Sequence, residues 1–127
     1  AYKIVHENNK KLTAAVFPYP EMADHMVRQR WDKWDIDEVY PMIYHGFYNE
    51  EIDWIGYATK QGVEDVQENI IINTGIYLPD FKSPEELKQA ILLAKENGAK
   101  GVSFYDGPGL TKEYLSIIKK TKAILRN

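Results

Sequence analysis

Hydrophobic residues follow two rhythms along this chain: short uncharged runs, and longer stretches with apolar positions three or four apart. The run Val39-Tyr-Pro-Met-Ile-Tyr44 carries no charge at all. A strand without charge on either face is covered on both, as in a parallel sheet between helices. Residues 12–18 and 69–78 are runs of the same kind, and 100–106 is another whose only charges, Lys100 and Asp106, stand at its two ends. Between them the helical spacing takes over. From 21 to about 33, Ala23, Met26, Val27, Arg30, Trp31 and Trp34 share a helical pattern. A helix over 50–61 places Ile52, Ile55 and Thr59 on one side, with Asn49 as its N-cap and Gly62 as its end. Ser83-Pro-Glu-Glu86 is a capping box with proline at the first helical position, and Leu87, Ala90, Ile91 and Ala94 follow at i, i+3, i+4 and i+7. Asn97-Gly98 ends that helix. Thr111 caps a last one carrying Tyr114, Ile117, Ile118, Thr121, Ile124 and Leu125. Residues 1–9 read as the tail of a helix, a remnant of something that began upstream.

The element order is therefore (α)βαβαβαβα, with strands near 12–18, 38–45, 69–78 and 100–106 in one domain, 1–127. This α/β alternation demands four parallel βα units joined by right-handed crossovers. Such units form either half of a (β/α)8 TIM-type barrel or a small open flavodoxin-like sheet. Alternation within the strands favours the half barrel. Val39, Pro41, Ile43, Ile70, Ile72, Thr74, Ile76, Val102 and Phe104 make one mostly aliphatic face, suited to helices. The other face carries Tyr40, Met42, Tyr44, Asn73, Gly75, Tyr77, Ser103 and Tyr105, and turns to Tyr, Asn and Ser as a lumen does. A half barrel leaves two strand edges open, which a second copy of the chain or a missing N-terminal half would close.

Composition narrows the function. The 127 residues suffice for one core, and the 44% hydrophobic and 28% charged shares are those of a soluble globular protein. A net charge of -3 speaks against nucleic acid or an anionic membrane as main partner. With no cysteine there is no disulfide framework and no thiolate chemistry. No apolar run approaches a membrane span, and no signal peptide is visible. The chain opens on Ala1 and not Met, as a processed form or an excised piece would.

Ligands in α/β folds sit at the C-terminal ends of the strands. Tyr44, His45, Tyr48, Asn73, Tyr77 and Tyr105 fall at or near those ends, on the expected mouth. Sugars stack their C–H faces on rings and bond their hydroxyls to Tyr, Asn and His, so these six are the substrate-binding candidates. The plainer alternative makes the tyrosines lumen filling and His45 a surface residue. Trp31 and Trp34 read as core, and Trp54 as packing. Catalytic candidates are the strand-end carboxylates Glu21 and Asp106, with Asp80 weaker. Glu21 also suits the first turn of a helix, and Asp106 a turn before Gly107-Pro-Gly109. The acidic run from Asp32 to Glu38 misses the chitinase spacing Asp-x-x-Asp-x-Asp-x-Glu and reads as a solvated loop. His6, His25 and His45 lie on separate elements without metal-ligand spacing, and neither a Gly-x-Gly-x-x-Gly nor a Walker A loop is present. No metal or other cofactor is expected.

Four segments carry a resemblance: Val16-Phe-Pro-Tyr-Pro-Glu21, Trp31-Asp-Lys-Trp34, Asp37-Glu-Val-Tyr-Pro-Met-Ile-Tyr-His45 and Asn73-Thr-Gly-Ile-Tyr-Leu78. Together they resemble the C-terminal half of the glycosyl-hydrolase-like (β/α)8 barrels of bacteria. In those, an Asp-x-(aromatic/Val)-x-Pro-(Met/Gln)-Ile-Tyr strand is the sixth and a Gly-Ile-Tyr strand the seventh. The resemblance covers nearly all of the chain from Leu12 onward, and the Pro-Met-Ile-Tyr ending is its most distinctive part. It implies a carbohydrate-active barrel with carbohydrate as partner, an exported or periplasmic setting, and a catalytic acid on absent strands one to four. Catalysis by this chain alone is then not expected. The contrasting expectation is a free-standing α/β ligand-binding or interaction module without catalysis.

Overall fold

The computed structural model describes residues 1–126; Asn127, the last residue of the expected domain, lies outside them. Four strands, β1 (Thr13–Val16), β2 (Glu38–Pro41), β3 (Ile71–Tyr77) and β4 (Gly101–Tyr105), form one parallel sheet in chain order, β1-β2-β3-β4. The helices are α1 (Tyr2–Glu7), α2 (Pro20–Val27), α3 (Asp53–Asp65), α4 (Pro84–Glu96) and α5 (Lys112–Arg126). A flavodoxin-like sheet reverses direction at a switch point and carries helices on both faces. Here the order never reverses, and the sheet follows the barrel pattern.

One face of the sheet is dry. Val16, Val39, Ile43, Ile72 and Ile76 are buried on it, and Ala23 of α2, Ile55 and Ala58 of α3, and Leu87, Ala90 and Ile91 of α4 complete the core. Within this core the hydroxyls of Thr59 and Thr74 share a 2.8 Å hydrogen bond that ties α3 to β3. The opposite face carries Tyr40, Met42, Tyr44, Asn73, Tyr77 and Ser103, all only half-buried, with Tyr105 and Ala15 exposed. Among the described residues no helix buries it, so the expectation that β2 is covered on both faces is corrected. The uncharged run in β2 arises because its second face is aromatic.

Several boundaries move for tertiary reasons. α2 stops at Val27, where Arg28 takes a left-handed φ of 57° and the chain turns to drive Trp31 into the core. The Trp31 indole N–H donates to the Phe17 carbonyl at 3.1 Å, which fixes the fully buried ring. Trp34, expected in the core, is instead 38% exposed. Gly62 does not end α3 but lies inside it, because a side chain there would come within 3.1 Å of the Trp31 ring. Asn49 does not cap α3. It closes a 3-10 turn, His45–Tyr48, in a left-handed conformation that asparagine tolerates. α4 starts as expected, with Ser83 Oγ accepting the Glu86 N–H at 3.2 Å and Glu86 reaching back to the Lys82 N–H at 2.7 Å.

Gly75 sits where the chain comes closest to β2, since a Cβ there would lie 2.7 Å from the Pro41 carbonyl oxygen. Pro41 donates no hydrogen bond, and pairing with β3 resumes one residue later through Met42 and Gly75. That register carries the open face in step across three strands to the C-terminal end of the sheet. No helix among the described residues is long and apolar enough to cross a membrane.

Candidate functional site

The registers Tyr77↔Tyr105 and Met42↔Gly75 place Tyr44, Tyr77 and Tyr105 on the same open face, at the mouth end of β2, β3 and β4. Their ring centroids form a near-equilateral triangle, with separations of 5.5 Å (Tyr44–Tyr77), 5.8 Å (Tyr77–Tyr105) and 6.0 Å (Tyr44–Tyr105). The rings are tilted from one another by only 16° to 35°. Phe47 meets Tyr77 edge-on at 5.2 Å and 71°, walling one side. Phe47 is 67% exposed and Tyr105 56%. Burial raises the Tyr44 hydroxyl above its ordinary value, and the neighbouring Tyr105 and Tyr77 add to that. Tyr44 therefore remains a neutral donor at physiological pH.

Tyr48, adjacent to Phe47 in sequence, belongs to a different group. Its ring packs at 5.3 Å on Trp54, which meets Tyr19 at 6.4 Å, and Tyr19 meets Tyr57 edge-on at 5.8 Å. His45 stands at the strand end as expected, but alternation turns it to the helix side. Its ring is buried 4.9 Å from that of Phe81, and Nδ1 is buried with no hydrogen-bond partner. Asn73 is on the open face but four residues below Tyr77, about 13 Å along the strand. Its amide donates to Glu38 Oε2 at 3.3 Å, at the N-terminal end of the sheet. The sequence-predicted mouth thus separates into the tyrosine triangle, Tyr48 in the neighbouring aromatic group, His45 turned to the helix side, and Asn73 at the far end of the open face.

The carboxylates do not converge. Glu21 lies in the first turn of α2, which follows edge strand β1, and Asp106 follows the other edge strand, β4. Paired glycosidase carboxyls lie ~5–9.5 Å apart, whereas these two follow strands at opposite edges of the sheet. Asp106 Oδ1 accepts the Gly109 N–H at 3.0 Å and so caps the turn it precedes. Glu21 borders a charged depression of about 640 Å³ in the helix layer, shared with Asp24, His25, Asp32, Glu64 and Asp65. Burial, then the carboxylates of Asp32, Glu64 and Glu21, raises Asp65 there. Among the described residues, no group of three or more His, Cys, Asp or Glu side chains is arranged to hold a metal ion.

Asp35 is exposed, as a solvated loop requires, but Asp32, Asp37 and Glu38 of the acidic run are structural, and for them that reading is corrected. Asp32 is 5% exposed and accepts two bonds from the Arg30 guanidinium at 3.1 Å, which hold its carboxyl below the ordinary range. Asp37 accepts the Leu12 N–H at 2.7 Å and a His6 ring nitrogen at 2.9 Å, and is lowered by both. Glu38 is lowered chiefly by Lys11, whose ammonium lies 2.8 Å away, and also by the Tyr40 hydroxyl and Asn73. Phe47 is the mouth residue that sequence reasoning passed over. Its signal was a large apolar side chain in a strand-end turn, where burial gives no reason for it.

No family model matches the chain, and no curated protein matches it. Among solved structures, the crystal structure of dihydrodipicolinate synthase from Bacillus clausii is similar, with a TM-score of 0.61 and 15% sequence identity. The match covers 95% of this chain and 44% of that one, so the chain spans less than half the length of its structural neighbour. At this identity the likeness shows the fold alone: four parallel βα units arranged as half of a TIM barrel.

Proposed function

We propose that this chain is the sugar-binding half of a carbohydrate-active barrel of the glycosyl-hydrolase-like kind, and that it is not catalytic alone. The observation that carries the reading is the tyrosine triangle with Phe47 as its wall. Aromatic rings presented together at an open mouth offer stacking surfaces to pyranose C–H faces, and phenolic hydroxyls reach sugar hydroxyls. The Pro-Met-Ile-Tyr44 and Gly-Ile-Tyr77 strand endings resemble that class and support the same reading. A parallel sheet with one bare face and two free edges needs completion. Further βα units supply it in this reading, with a second copy of the chain as the alternative.

A second reading, a ligand-binding module without catalysis, is favoured by the separation of Glu21 from Asp106. The two readings part on one experiment. The chain and its Tyr77→Ala variant are titrated with soluble hexasaccharides (cello-, chito- and maltohexaose), and the same mixtures are assayed for released sugar. Binding that Tyr77→Ala weakens, without hydrolysis, supports the proposal. Hydrolysis abolished by Asp106→Asn overturns its non-catalytic part. Failure of the whole series to bind removes the sugar reading and leaves the module.

A further inference from the structure

The Gly46 N–H donates to Asp80 Oδ2 at 3.0 Å, joining the turn after β2 to the turn after β3 across 34 residues of sequence. We propose that Asp80 is a positioning residue for the mouth, acting through Gly46 to hold the His45–Tyr48 turn in place. That turn carries Phe47, and Phe47 is the wall of the tyrosine triangle. The carboxylate thus serves the loop that follows β2, although Asp80 itself lies in the turn after β3. It is also held firmly. Leu78, which opens the Leu78–Asp80 turn, and Phe81, which closes it, are 1% and 6% exposed, so the backbone bearing Asp80 is fixed by the core. A side chain at position 46 would have to push the Asp80 carboxylate aside, so glycine there leaves room for the bond. The His45 ring on Phe81 ties the same two loops a second time, from the buried side.

A carboxylate on a backbone N–H is a charge-assisted bond, and in an exposed loop its main effect is on local order. Loss of the bond frees one turn, not the core. The consequence for binding rests on the glycan reading above; the positioning itself does not.

The test compares Asp80→Ala with Asp80→Asn, which keeps an acceptor oxygen, by NMR of the aromatic rings without ligand. Asp80→Ala is expected to shift the Phe47, Tyr44 and Tyr77 ring resonances, while Asp80→Asn stays near wild type. For a hexasaccharide that wild type binds, Asp80→Ala is expected to bind about three- to tenfold more weakly, and Asp80→Asn to recover most of that. Unchanged Phe47 and Tyr77 resonances in Asp80→Ala overturn the proposal. If wild type binds none of the sugars, the glycan reading fails, and the ring shifts still decide the positioning. Amide exchange in the wild-type protein serves as an independent check, because an unprotected Gly46 N–H also overturns it.

Discussion

The two faces of the sheet are made from the same strands, one residue out of step, and they are built for different purposes. Ile72, Thr74 and Ile76 of β3 are buried under helices, while Tyr77 and its partner Tyr105 stand at an open mouth. The covered face is aliphatic and closed: its polar pair, Thr59 and Thr74, is satisfied internally. The open face is aromatic and polar, and its rings pack only on one another and on a loop. Burial on the first face supplies stability. The second leaves its rings accessible, as the proposed ligand face requires.

Neighbouring substitutions should break this contrast most visibly. Ile76→Ala, on the dry side, should cost about 2–5 kcal/mol, because the cavity it leaves is closed on all sides. Tyr77→Ala, one residue on, should cost about 1 kcal/mol or less, because surrounding water replaces much of what the ring loses. Urea melts of the two variants measure the difference, and equal losses would erase the distinction between the faces.

Thr74→Val should cost about 1–3 kcal/mol by stranding the buried Thr59 hydroxyl. Adding Thr59→Val should restore most of that, which a double-mutant cycle would show. On the open face, removing the Tyr105 ring should weaken sugar binding by about 0.5–1.5 kcal/mol with little change in melting, read by calorimetry.

The smallest effect is expected at the N-terminal end of the open face. Asp37 and Glu38 are held below the ordinary carboxylate range. The stability they contribute is therefore present above their unfolded values and is lost as the pH falls through the folded ones, below about pH 4. Lys11, raised by Glu38, stays charged throughout. Glu38→Gln should flatten the acid limb of a melting-temperature profile by lowering the curve slightly at neutral pH, where the Glu38 contribution is present, and leaving it unmoved in acid, where that contribution is already lost.

Much of this contrast was legible in the sequence, since period-two alternation sorts Ile72 and Ile76 from Asn73 and Tyr77 with no structural knowledge. Start signals such as Ser83-Pro-Glu-Glu86 were equally readable, because their bonds are local. What escaped depended on distant partners. Gly62 looked like a helix end, and only the Trp31 ring beside it explains a glycine in mid-helix. His45 and Asn73 were assigned to the mouth by position along the chain. The buried face of Phe81 claims the first, and Glu38 the second. Asp32 looked like loop charge, because a partner two residues away, Arg30, reveals nothing of its burial in sequence.

The central claim is that the open face is a ligand face and the covered one is not. The most direct measurement is a titration of the chain with the same hexasaccharides, followed by the ring resonances of Tyr44, Tyr77 and Tyr105 and the methyl resonances of Ile72 and Ile76. Saturable shifts in the three tyrosines, with the isoleucine methyls unmoved, are the predicted result. Tyrosines that stay still while the helix-side methyls move, or a spectrum that no sugar changes, would contradict it.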